Sequence, residues 1–519
     1  MKSKQYGVDR RHFLKYLSAL SAVPLLGQQV EGRVLQQPKF KENPFSLGVA
    51  SGDPAPTGFV IWTRLAPDPL HDGGMPSDFI NVRWQVAEDE QMTKVVQKGT
   101  AIATPQLGHS IHVEIEGLKP DHWYYYQFKV GTEISAVGRS RTTPKFGTMP
   151  DQMRFAYTSC QHVEYGYFNG YDHMVKEELD LVVHLGDYIY EYAGRKDKER
   201  AHLGGEVKSL DEYRNRYAQY RLDAGLQETH RLFPWLVTWD DHEFDNNYSN
   251  LVSEEQGISP EEFLYRRMNA YQAYYEVMPL RKATMPRGPN MKLYRKVQYG
   301  RLANFYVLDT RQYRTDQPND DGNKDLVGKV FDSQATMLGE KQEDWLMSNL
   351  LHTKSTWNVL AQQVMMARVN RGEGENRMFS MDQWPGYDVS RTRLLRFFND
   401  RKVPNPVVLT GDIHTNWVND LHVDFDDPKS PVVGTEFVGT SMTSGGNGGT
   451  RIEQFERAAA NNDFVKWYNA ERGYVACTLT PDEWRTDFRV TPIVETPGSE
   501  LITRASYVIE AGQAGAHPA

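Results

Sequence analysis

The pattern of apolar and polar positions along the chain changes near residue 148. Before that point, from Pro44 to about Lys145, β-branched or aromatic residues alternate with polar ones, and turn-forming residues recur at short intervals. Alternation of this kind is typical of strands that bury one face. The clearest examples are Gly58–Thr63, Val82–Val86, Ile111–Ile115 and Trp123–Phe128. We therefore predict an N-terminal β-sandwich domain over residues 41–148.

From Met153 onward, short apolar runs alternate with helical stretches, which predicts an α/β layered domain over residues 149–510. The runs that we interpret as buried strands are Phe155–Tyr157, Leu181–Leu185, Leu236–Trp239, Phe305–Leu308, Val359–Leu360 and Val407–Leu409. The predicted helices are Asp211–Tyr220, Pro260–Glu276, Glu340–Leu351 and Ser390–Asp400. The glycine-rich stretch Ser444–Thr450 predicts a flexible loop, and the small residues of 511–519 predict a disordered tail.

The N-terminus, residues 1–33, has the character of an export signal. Arg10 and Arg11 precede the weakly apolar run Tyr16–Gly27, which is too short to span a bilayer because a span needs about 20 residues. The paired arginines resemble a twin-arginine signal, so we expect the twin-arginine machinery as a partner and a periplasmic or secreted location. No later apolar run reaches about 18 residues, and we expect no transmembrane span.

Composition narrows the function classes. The chain has 519 residues, 39% of them hydrophobic, and a formal charge of -9. A negative charge argues against nucleic-acid binding, which needs a basic surface. It leaves a metalloprotein open, because acidic residues collect around cations. The 2 cysteines, Cys160 and Cys477, are interpreted as separate thiols, with a disulfide left as the alternative.

Polar residues that suit metal binding follow four of the predicted strands. These segments are Thr158–Gln161, Gly186–Glu191, Asp240–Glu243 and Gly411–His414. Sites in α/β sheets form outside the carboxyl ends of the strands, so we expect the four segments to converge. A single Asp after a strand is more often a cap or turn residue. Four such ends with carboxylate, imidazole or thiol groups predict a metal centre.

The ligand types suggest two unlike metals. Thiolate from Cys160, phenolate from Tyr190 and imidazole from His414 suit a transition metal, and thiolate with phenolate favours Fe(III). Asp187 has two oxygens and is able to bridge. Asp241 and Asp412 offer only oxygen, which suits Ca²⁺, Mg²⁺ or Mn²⁺. Two adjacent metals that clamp a phosphate and activate a water are a common device for phosphoester hydrolysis.

These motifs carry a specific resemblance. Gly186-Asp187-x-x-Tyr190 resembles the motif of purple acid phosphatases. Asp240–Glu243 and Gly411–His414 occupy the places of the Gly-Asn-His-Glu and Gly-His-x-His motifs of calcineurin-like metallophosphatases. The full set is similar to the alkaline phosphatase D (PhoD-like) family, with supporting matches at Gly48–Pro54, Ile61–Arg64, Leu308–Arg311 and Glu436–Ser441. In the N-terminal domain, Gly117–Pro120 before a tyrosine-rich strand resembles a fibronectin type III-like sandwich.

The resemblance implies a metallophosphatase-like αββα domain and a role for each site residue. It implies Fe(III) held by Cys160, Asp187, Tyr190 and His414, and Ca²⁺ held by Asp187, Asp241 and Asp412. It implies that His242 contacts the scissile phosphate or protonates the leaving oxygen. The sequence departs from the wider superfamily where Asp241 replaces Asn and Asp412 replaces His. Both changes make the second site more anionic, which favours Ca²⁺ over Zn²⁺, with Mn²⁺ as a further alternative.

Several alternatives stay open. Arg311 is a candidate for gripping a phosphate oxygen, and a structural salt bridge is the competing interpretation. His184 is interpreted as a core residue, whereas His162 lies near Cys160 and is a weaker pocket candidate. The expected function is an exported phosphoesterase acting on phosphate mono- or diesters. The alternatives are a phospholipase D-like phosphodiesterase, a secreted binding protein built on the sandwich, and a metal-dependent oxidoreductase.

Overall fold

The computed structural model of the protein describes residues 34–35 and 38–519. The predicted export signal, residues 1–33, lies outside this part of the chain. Within it, no helix combines the length and the apolar character that crossing a bilayer requires. The described helices are α1 (Asn169–Met174), α2 (Leu210–Arg221), α3 (Ala224–Leu232), α4 (Pro260–Val277), α5 (Gly339–Leu351), α6 (Asp388–Asp400) and α7 (Glu453–Ala460).

The strands are short and follow the predicted change of pattern. In chain order they are β1 (Val34–Leu35), β2 (Val49–Ala55), β3 (Gly58–Arg64), β4 (Phe79–Ala87), β5 (Val95–Ala103), β6 (Ser110–Ile115), β7 (Trp123–Val130), β8 (Glu133–Ile134), β9 (Gly138–Arg141), β10 (Met153–Thr158), β11 (Leu181–His184), β12 (Pro234–Val237), β13 (Arg295–Tyr299), β14 (Ala303–Val307), β15 (Asn323–Lys324), β16 (Trp357–Ala361), β17 (Phe379–Ser380), β18 (Pro406–Thr410), β19 (Asn416–His422), β20 (Val432–Val438), β21 (Val465–Asn469), β22 (Arg472–Leu479), β23 (Glu483–Thr491), β24 (Ile502–Glu510) and β25 (His517–Pro518).

Helices α2 and α4 begin where local chemistry favours a helix start. Ser209 precedes α2, and Ser259 precedes α4. Each serine side chain accepts a hydrogen bond from the backbone N–H of a glutamate three residues later, and that glutamate bonds back to the serine N–H. These capping boxes satisfy backbone donors that a helix leaves unpaired at its start. The four predicted helices are confirmed to within two residues at each end.

The N-terminal residues form a β-sandwich of two sheets. One sheet contains only strands of this N-terminal region, and the other is part of a larger sheet. The former sheet contains β1, β4, β5, β7, β8 and β9. Strand β7 alternates between partly exposed and buried residues along its whole length, and buries Tyr124, Tyr126 and Phe128. These side chains share an apolar core with Phe59 of β3 and Ile115 of β6. The predicted sandwich is therefore confirmed.

The second layer of the sandwich continues into the α/β part of the chain. A ten-stranded sheet runs in the order β25-β24-β23-β22-β10-β11-β12-β2-β3-β6. Strand β2 pairs in parallel with β12, with Ser51 opposite Pro234 and Gly52 opposite Trp235. The division near residue 148 thus separates stretches of sequence, whereas one sheet crosses it.

A second sheet faces the first and completes a four-layer domain. It has seven strands in the order β13-β14-β16-β18-β20-β19-β21. Phe155 and Tyr157 of β10 point toward this sheet and share a core with Phe305 and Val359. Ala156, between them, points the other way and joins a core formed with α2, α3 and α4. Helices α5 and α6 cover the far side of the second sheet, which gives the predicted αββα layering.

The carboxyl ends of the parallel strands meet at one edge of the two sheets. Strands β10, β11 and β12 are parallel in one sheet. Strands β14, β16 and β18 are parallel in the other. The loops that follow these strands therefore leave the sheets on the same side, where α/β proteins build their sites.

Two details concern the end of the chain and the cysteines. The expected disordered tail is packed instead: Ala516 is 8% exposed, its N–H donates to Asp420 Oδ1 at 3.2 Å, and β25 pairs with β24. Small residues predict disorder where their backbone has no hydrogen-bond partners. Here the edge strand β24 supplies such partners. Cys160 and Cys477 are both buried free thiols, so the interpretation as separate thiols is confirmed.

Candidate metal centre

The loops that follow four strands bring the predicted ligands together. Cys160 follows β10, Asp187 follows β11, Asp241 follows β12 and Asp412 follows β18. Cys160, Asp187 and Asp241 are buried at this edge of the molecule, and Asp412 is partly buried. The convergence that was expected from the strand ends is therefore present in the structure.

Asp187 lies between two groups of ligand atoms. One atom from each of Cys160, Asp187 and His414 lies within 4.8 Å of the others. The same limit joins Asp187, Asp241 and His242. Tyr190 Oη donates to Asp187 Oδ2 at 2.8 Å and lies 3.4 Å from His414 Nε2. Asp187 is thus shared by the two groups of ligand atoms.

Four of the predicted ligands have left-handed backbone conformations. The φ angles are 55° at Cys160, 55° at Asp187, 65° at Asp412 and 57° at His414. Non-glycine residues in this region cost about 1–3 kcal/mol each, and such residues cluster at functional sites. Gly186 has φ 113°, and a Cβ there would lie 2.4 Å from the Asp240 backbone nitrogen. These sharp turns aim the side chains of neighbouring loops at one point.

The cysteine and tyrosine of the site are neutral acids when no cation is present. Burial raises the pKa of the Cys160 thiol, and the nearby Asp187 raises it further. Burial, Asp187 and Cys160 raise the pKa of Tyr190 in the same way. Burial lowers the pKa of His414 to about 3, which leaves a neutral imidazole. A bound cation would favour the ionised thiolate and phenolate, because it supplies the missing positive charge.

Unpartnered oxygens give a direct test of whether a cation fits here. Within the described part of the chain, Asp187 Oδ1 and Asp240 Oδ2 are buried without a hydrogen-bond partner. A buried carboxylate oxygen that lacks a partner is costly. A metal ion would satisfy Asp187 Oδ1, and the thiol, phenol, imidazole and carboxylate donors around it are metal-binding types. The residues present therefore fit a metal centre.

Four carboxylates surround the guanidinium of Arg311. Its Nε donates to Asp240 at 2.5 Å, its Nη1 to Asp382 at 2.8 Å and its Nη2 to Asp412 at 3.1 Å. Asp241 Oδ2 lies 3.6 Å from Nη2. Arg311 is 0% exposed, and it neutralises part of the negative charge of this cluster.

Arg311 was predicted to grip phosphate, with a structural salt bridge as the alternative. In the structure all its nitrogens face protein carboxylates, which corresponds to the alternative. Burial raises the pKa of Asp241, but Arg311, His242, the Asn247 N–H and Arg314 together outweigh burial, and the net direction is down. Burial raises the pKa of Asp412 to about 6 despite Arg311. Arg311 thus helps to keep the cluster ionised.

His242 is held by a carboxylate outside the predicted set of site residues. Its Nδ1 lies 2.8 Å from Oε2 of the buried Glu191, and Glu191 Oε1 accepts from the Asn246 N–H at 3.1 Å. Burial lowers the pKa of His242, but Glu191, Asp241 and Asp187 raise it, and the net direction is upward. The bond at Nδ1 leaves Nε2 for another partner. Glu191 has a signal in the sequence, because it ends the motif Gly186–Glu191.

Glu243 ties two ligand loops together. Its carboxylate accepts from the backbone N–H groups of Asp187 at 3.0 Å, Tyr188 at 2.6 Å and Asp240 at 2.8 Å. One side chain thereby fixes the loops after β11 and β12 relative to each other. The sequence signal was present here too, since Glu243 closes the motif Asp240–Glu243.

Two further residues reach the centre from loops that gave no signal. Asp382, after β17, bonds to Arg311 and Arg314. Ser444 opens the stretch that was predicted to be a flexible loop, yet it is 1% exposed, and its Oγ lies 2.7 Å from Tyr190 Oη. The start of the glycine-rich loop is therefore part of the site.

Three further histidines in the described part of the chain, His162, His184 and His202, do not add to the ligand set around Asp187. His184 is 1% exposed within β11, and its Nδ1 accepts from Gly186 N–H, so the core interpretation is confirmed. His162, Glu164 and His202 have ligand atoms within 4.8 Å of one another. The rings of His162 and His202 are stacked at 16°, however, so their in-plane lone pairs do not converge. Both nitrogens of His202 already bond to other groups.

Comparison with known proteins decides the family. Residues 155–488 match the sequence model described as PhoD-like phosphatase, and residues 30–144 match the model of the PhoD-like phosphatase N-terminal domain. The chain is 49% identical over 516 residues to alkaline phosphatase D of Bacillus subtilis (strain 168), a match that covers 98% of this chain and 88% of that one. The chain belongs to the PhoD-like phosphatase family. The resemblance seen in the motifs is confirmed.

Solved structures agree with this assignment. A structure of PhoD superimposes with a TM-score of 0.91 at 50% identity, and the match covers 93% of both chains. A purple acid phosphatase from yellow lupin (Lupinus luteus) seeds matches with a TM-score of 0.53 at 11% identity, over 89% of this chain and 74% of that one. The second likeness concerns the fold alone. The chain therefore shares its fold closely with the PhoD structure and more distantly with the purple acid phosphatase.

Proposed function

We propose that this PhoD-like phosphatase is an exported phosphoesterase that hydrolyses phosphate mono- or diesters at a centre of Fe(III) and Ca²⁺. The observation that carries the proposal is the position of Asp187, which lies within 4.8 Å of both Cys160 with His414 and Asp241 with His242. One carboxylate shared by two donor sets of unlike chemistry suits two adjacent, unlike cations.

The two donor sets differ in the ions that they suit. Cys160, Tyr190, His414 and Asp187 would hold Fe(III), because thiolate and phenolate favour a highly charged transition ion. Asp187, Asp241 and Asp412 would hold Ca²⁺, which prefers oxygen ligands. When bound, such a pair of ions neutralises phosphate oxygens and provides a nucleophilic water.

The side chains of the protein supply proton transfer and positioning. Glu191 holds Nδ1 of His242 and leaves Nε2 available, so a protonated His242 would give its Nε2 proton to the leaving oxygen. Burial lowers the pKa of His242, but Glu191, Asp241 and Asp187 together raise it, which favours the protonated ring in the metal-free protein. Asn247 donates its N–H to Asp241 Oδ2 at 2.8 Å and orients that carboxylate. The chain thus contributes an acid, its orienting group and a fixed ligand set.

Metal analysis paired with rates on two esters tests the proposal. We expect iron and calcium in the purified protein, a visible band from phenolate bound to Fe(III), and release of product from a chromogenic monoester or diester. A calcium-selective chelator should remove activity and leave the colour, and added Ca²⁺ should restore activity. Tyr190→Phe should abolish or strongly shift the band, whereas Tyr265→Phe on the exposed face of α4 should not.

The outcomes separate the alternatives. Active but colourless protein that holds two zinc ions and ignores the chelator would overturn the metal assignment and keep the phosphoesterase. Electron transfer without ester hydrolysis would favour the oxidoreductase. Failure on both esters in metal-replete protein would contradict the hydrolase.

Export through the twin-arginine route is a separate part of the proposal. It rests on Arg10 and Arg11 followed by Phe13-Leu14-Lys15 and a weakly apolar run. Replacing both arginines by lysine should trap active enzyme in the cytoplasm, whereas replacing Lys2 and Lys4 by arginine should not. Normal export of the Arg10→Lys, Arg11→Lys variant would contradict this route.

A further inference from the structure

Two buried serine hydroxyls lie against the two most electron-donating ligand candidates. Ser159 Oγ lies 3.1 Å from Cys160 Sγ, and Ser444 Oγ lies 2.7 Å from Tyr190 Oη. Ser159 is 2% exposed and Ser444 is 1% exposed. The two serines belong to adjoining segments, because Ser159 and Ser441 form a parallel β-bridge. Each hydroxyl therefore faces one ligand atom in a dry environment.

The space for the Ser159 hydroxyl is built into the fold. At Gly411 a Cβ would lie 2.6 Å from Ser159 Oγ, so a glycine directly before Asp412 leaves room for it. When Cys160 is a thiol, its S–H donates to Ser159 Oγ. A thiolate has no proton to give, so the hydroxyl must then donate to the sulfur. The direction of this hydrogen bond reverses when Cys160 ionises.

The Ser444 hydroxyl has one proton and two acceptors. Its Oγ lies 2.7 Å from the Cys160 carbonyl oxygen and 2.7 Å from Tyr190 Oη. The phenol proton of neutral Tyr190 goes to Asp187 Oδ2 at 2.8 Å. Once Tyr190 is a phenolate, its charged oxygen is the better acceptor, because charge-assisted hydrogen bonds are roughly twice as strong as neutral ones. The Ser444 proton then turns from the carbonyl to the phenolate.

We infer that Ser159 and Ser444 tune the metal of the Cys160–Tyr190 site by donating hydrogen bonds to its thiolate and phenolate ligands. This inference rests on the proposed Fe(III) centre. Hydrogen bonds withdraw electron density from anionic ligands, and partners of this kind set both the reduction potential and the acidity of a bound ion. A less electron-donating ligand set leaves the cation a stronger Lewis acid, which suits hydrolysis. Both serines are positioning residues that act through Cys160 and Tyr190.

Single alanine variants of the exported, metal-containing protein test the inference. The variants are Ser159→Ala and Ser444→Ala, with Ser444→Thr as the version that keeps a hydroxyl. Thr443→Val is the matched control, because Thr443 is a buried neighbour in the same loop and its Oγ1 donates to the His162 carbonyl at 2.8 Å. For each protein the readouts are iron content, the visible spectrum and the Fe(III)/Fe(II) reduction potential.

The expected changes are specific to each ligand. Ser444→Ala should keep its iron, shift the phenolate band to longer wavelength and lower the reduction potential. Ser159→Ala should lower the potential and leave the phenolate band in place. In each alanine variant, loss of the bond should favour Fe(III) over Fe(II) by about tenfold, which is about 59 mV for one electron. Thr443→Val and Ser444→Thr should resemble the unaltered protein.

Two results would overturn the inference in different ways. Iron-containing alanine variants with unchanged band and potential would refute the role of the hydroxyls and leave the proposed metal centre intact. Unaltered protein without iron or a visible band would refute the metal centre first, and this inference with it. The unaltered protein offers a check that needs no variant: its phenolate vibrations should shift in D₂O if a hydroxyl donates to that oxygen, and their constancy would contradict the role of Ser444.

Discussion

The candidate metal centre has two halves, which differ in how their charges are balanced. The first half contains Cys160, Tyr190 and His414, the second contains Asp241 and Asp412, and Asp187 lies between them. In the first half, the side-chain partners of Cys160 Sγ and Tyr190 Oη are serine hydroxyls, an imidazole and Asp187. In the second half, a guanidinium already sits among the carboxylates, where Arg311 contacts Asp240 and Asp412. Without a metal, the thiol and the phenol of the first half are neutral. In the second half, the positive charge of Arg311 stabilises ionised carboxylates.

This difference predicts how cation binding in each half should depend on pH and how readily the cation should exchange. Burial raises the pKa of both Cys160 and Tyr190, so binding there must expel protons, and affinity should rise with pH. The lowered pKa of Asp241 shows a carboxylate that is ionised before any metal arrives. A cation in that half competes with Arg311 and should exchange more readily. Asp187 couples the two halves.

The largest effect should come from the residue that the halves share. Asp187→Asn removes a charge from both donor sets, and we expect loss of both metals. Charge stabilisation by metals is worth several kcal/mol, so kcat/KM should fall by about 10³-fold or more. Metal content and ester hydrolysis measure this, with the exposed Asp197→Asn as the matched control. Retention of either metal at full stoichiometry would show that the halves are independent.

A second variant should spare both halves and remove only proton transfer. His242→Ala should keep both metals and lose about 10²–10⁴-fold in rate, the usual contribution of a general acid. The loss should be smaller for esters with good leaving groups, which need little protonation. Rates on a series of leaving groups, with the exposed His71→Ala as control, measure it. An equal loss across the series would point to phosphate binding instead.

The contrast between the halves also marks how far the sequence reaches. The ligands that follow strands were predictable because strand ends and local motifs are adjacent in sequence, as in Asp187 with Tyr190. Glu191 and Glu243 were visible in the same motifs, but their partners, His242 and three backbone N–H groups, are set by tertiary packing. Asp382 lies outside every motif.

Features of the fold were predictable where local sequence determines them, and were not predictable where tertiary packing does. The alternation of apolar runs and helical stretches predicted an α/β layered domain, and the family resemblance implied the αββα order of its layers. The local pattern gave no sign that β2 pairs with β12, since nothing local specifies which sheet a strand joins. Arg311 illustrates both limits: its position after β14 was visible, whereas its carboxylate partners come from three other loops.

Removing the positive charge of Arg311 should lower the stability of the protein through the carboxylates of the second half. Arg311→Gln leaves buried carboxylates uncompensated, which should lower the free energy of unfolding of the metal-free protein by about 3–5 kcal/mol. Calcium should then raise the melting temperature more than it does for the unaltered protein. Arg314→Gln is the matched control, because Arg314 bonds to Asp382 and not to Asp241 or Asp412. A calcium response equal to that of the control would mean that Arg311 does not share the cation's ligands.

The smallest effect is expected for a change at Glu191. It should shift the pH dependence of activity and leave the content of both metals unchanged. Burial lowers the pKa of His242, but Glu191 and the aspartates raise it above its ordinary value. A general acid works while it is protonated, so activity should fall as the pH rises through this pKa. Glu191→Gln removes the largest opposing charge, and a hydrogen bond to a charged group is worth about 1.5–3 kcal/mol, or about one to two pKa units. The alkaline limb of kcat/KM should therefore move to lower pH by about that amount.

The control for this shift is Glu164→Gln, another buried glutamate that accepts backbone N–H groups and makes no contact with His242. Its alkaline limb should stay in place, and both variants should keep their metals. The shift belongs to proton transfer because neither half of the centre loses a ligand. If the limb of Glu191→Gln also stays in place, the alkaline limb reports a different group, and the acid role of His242 must be abandoned.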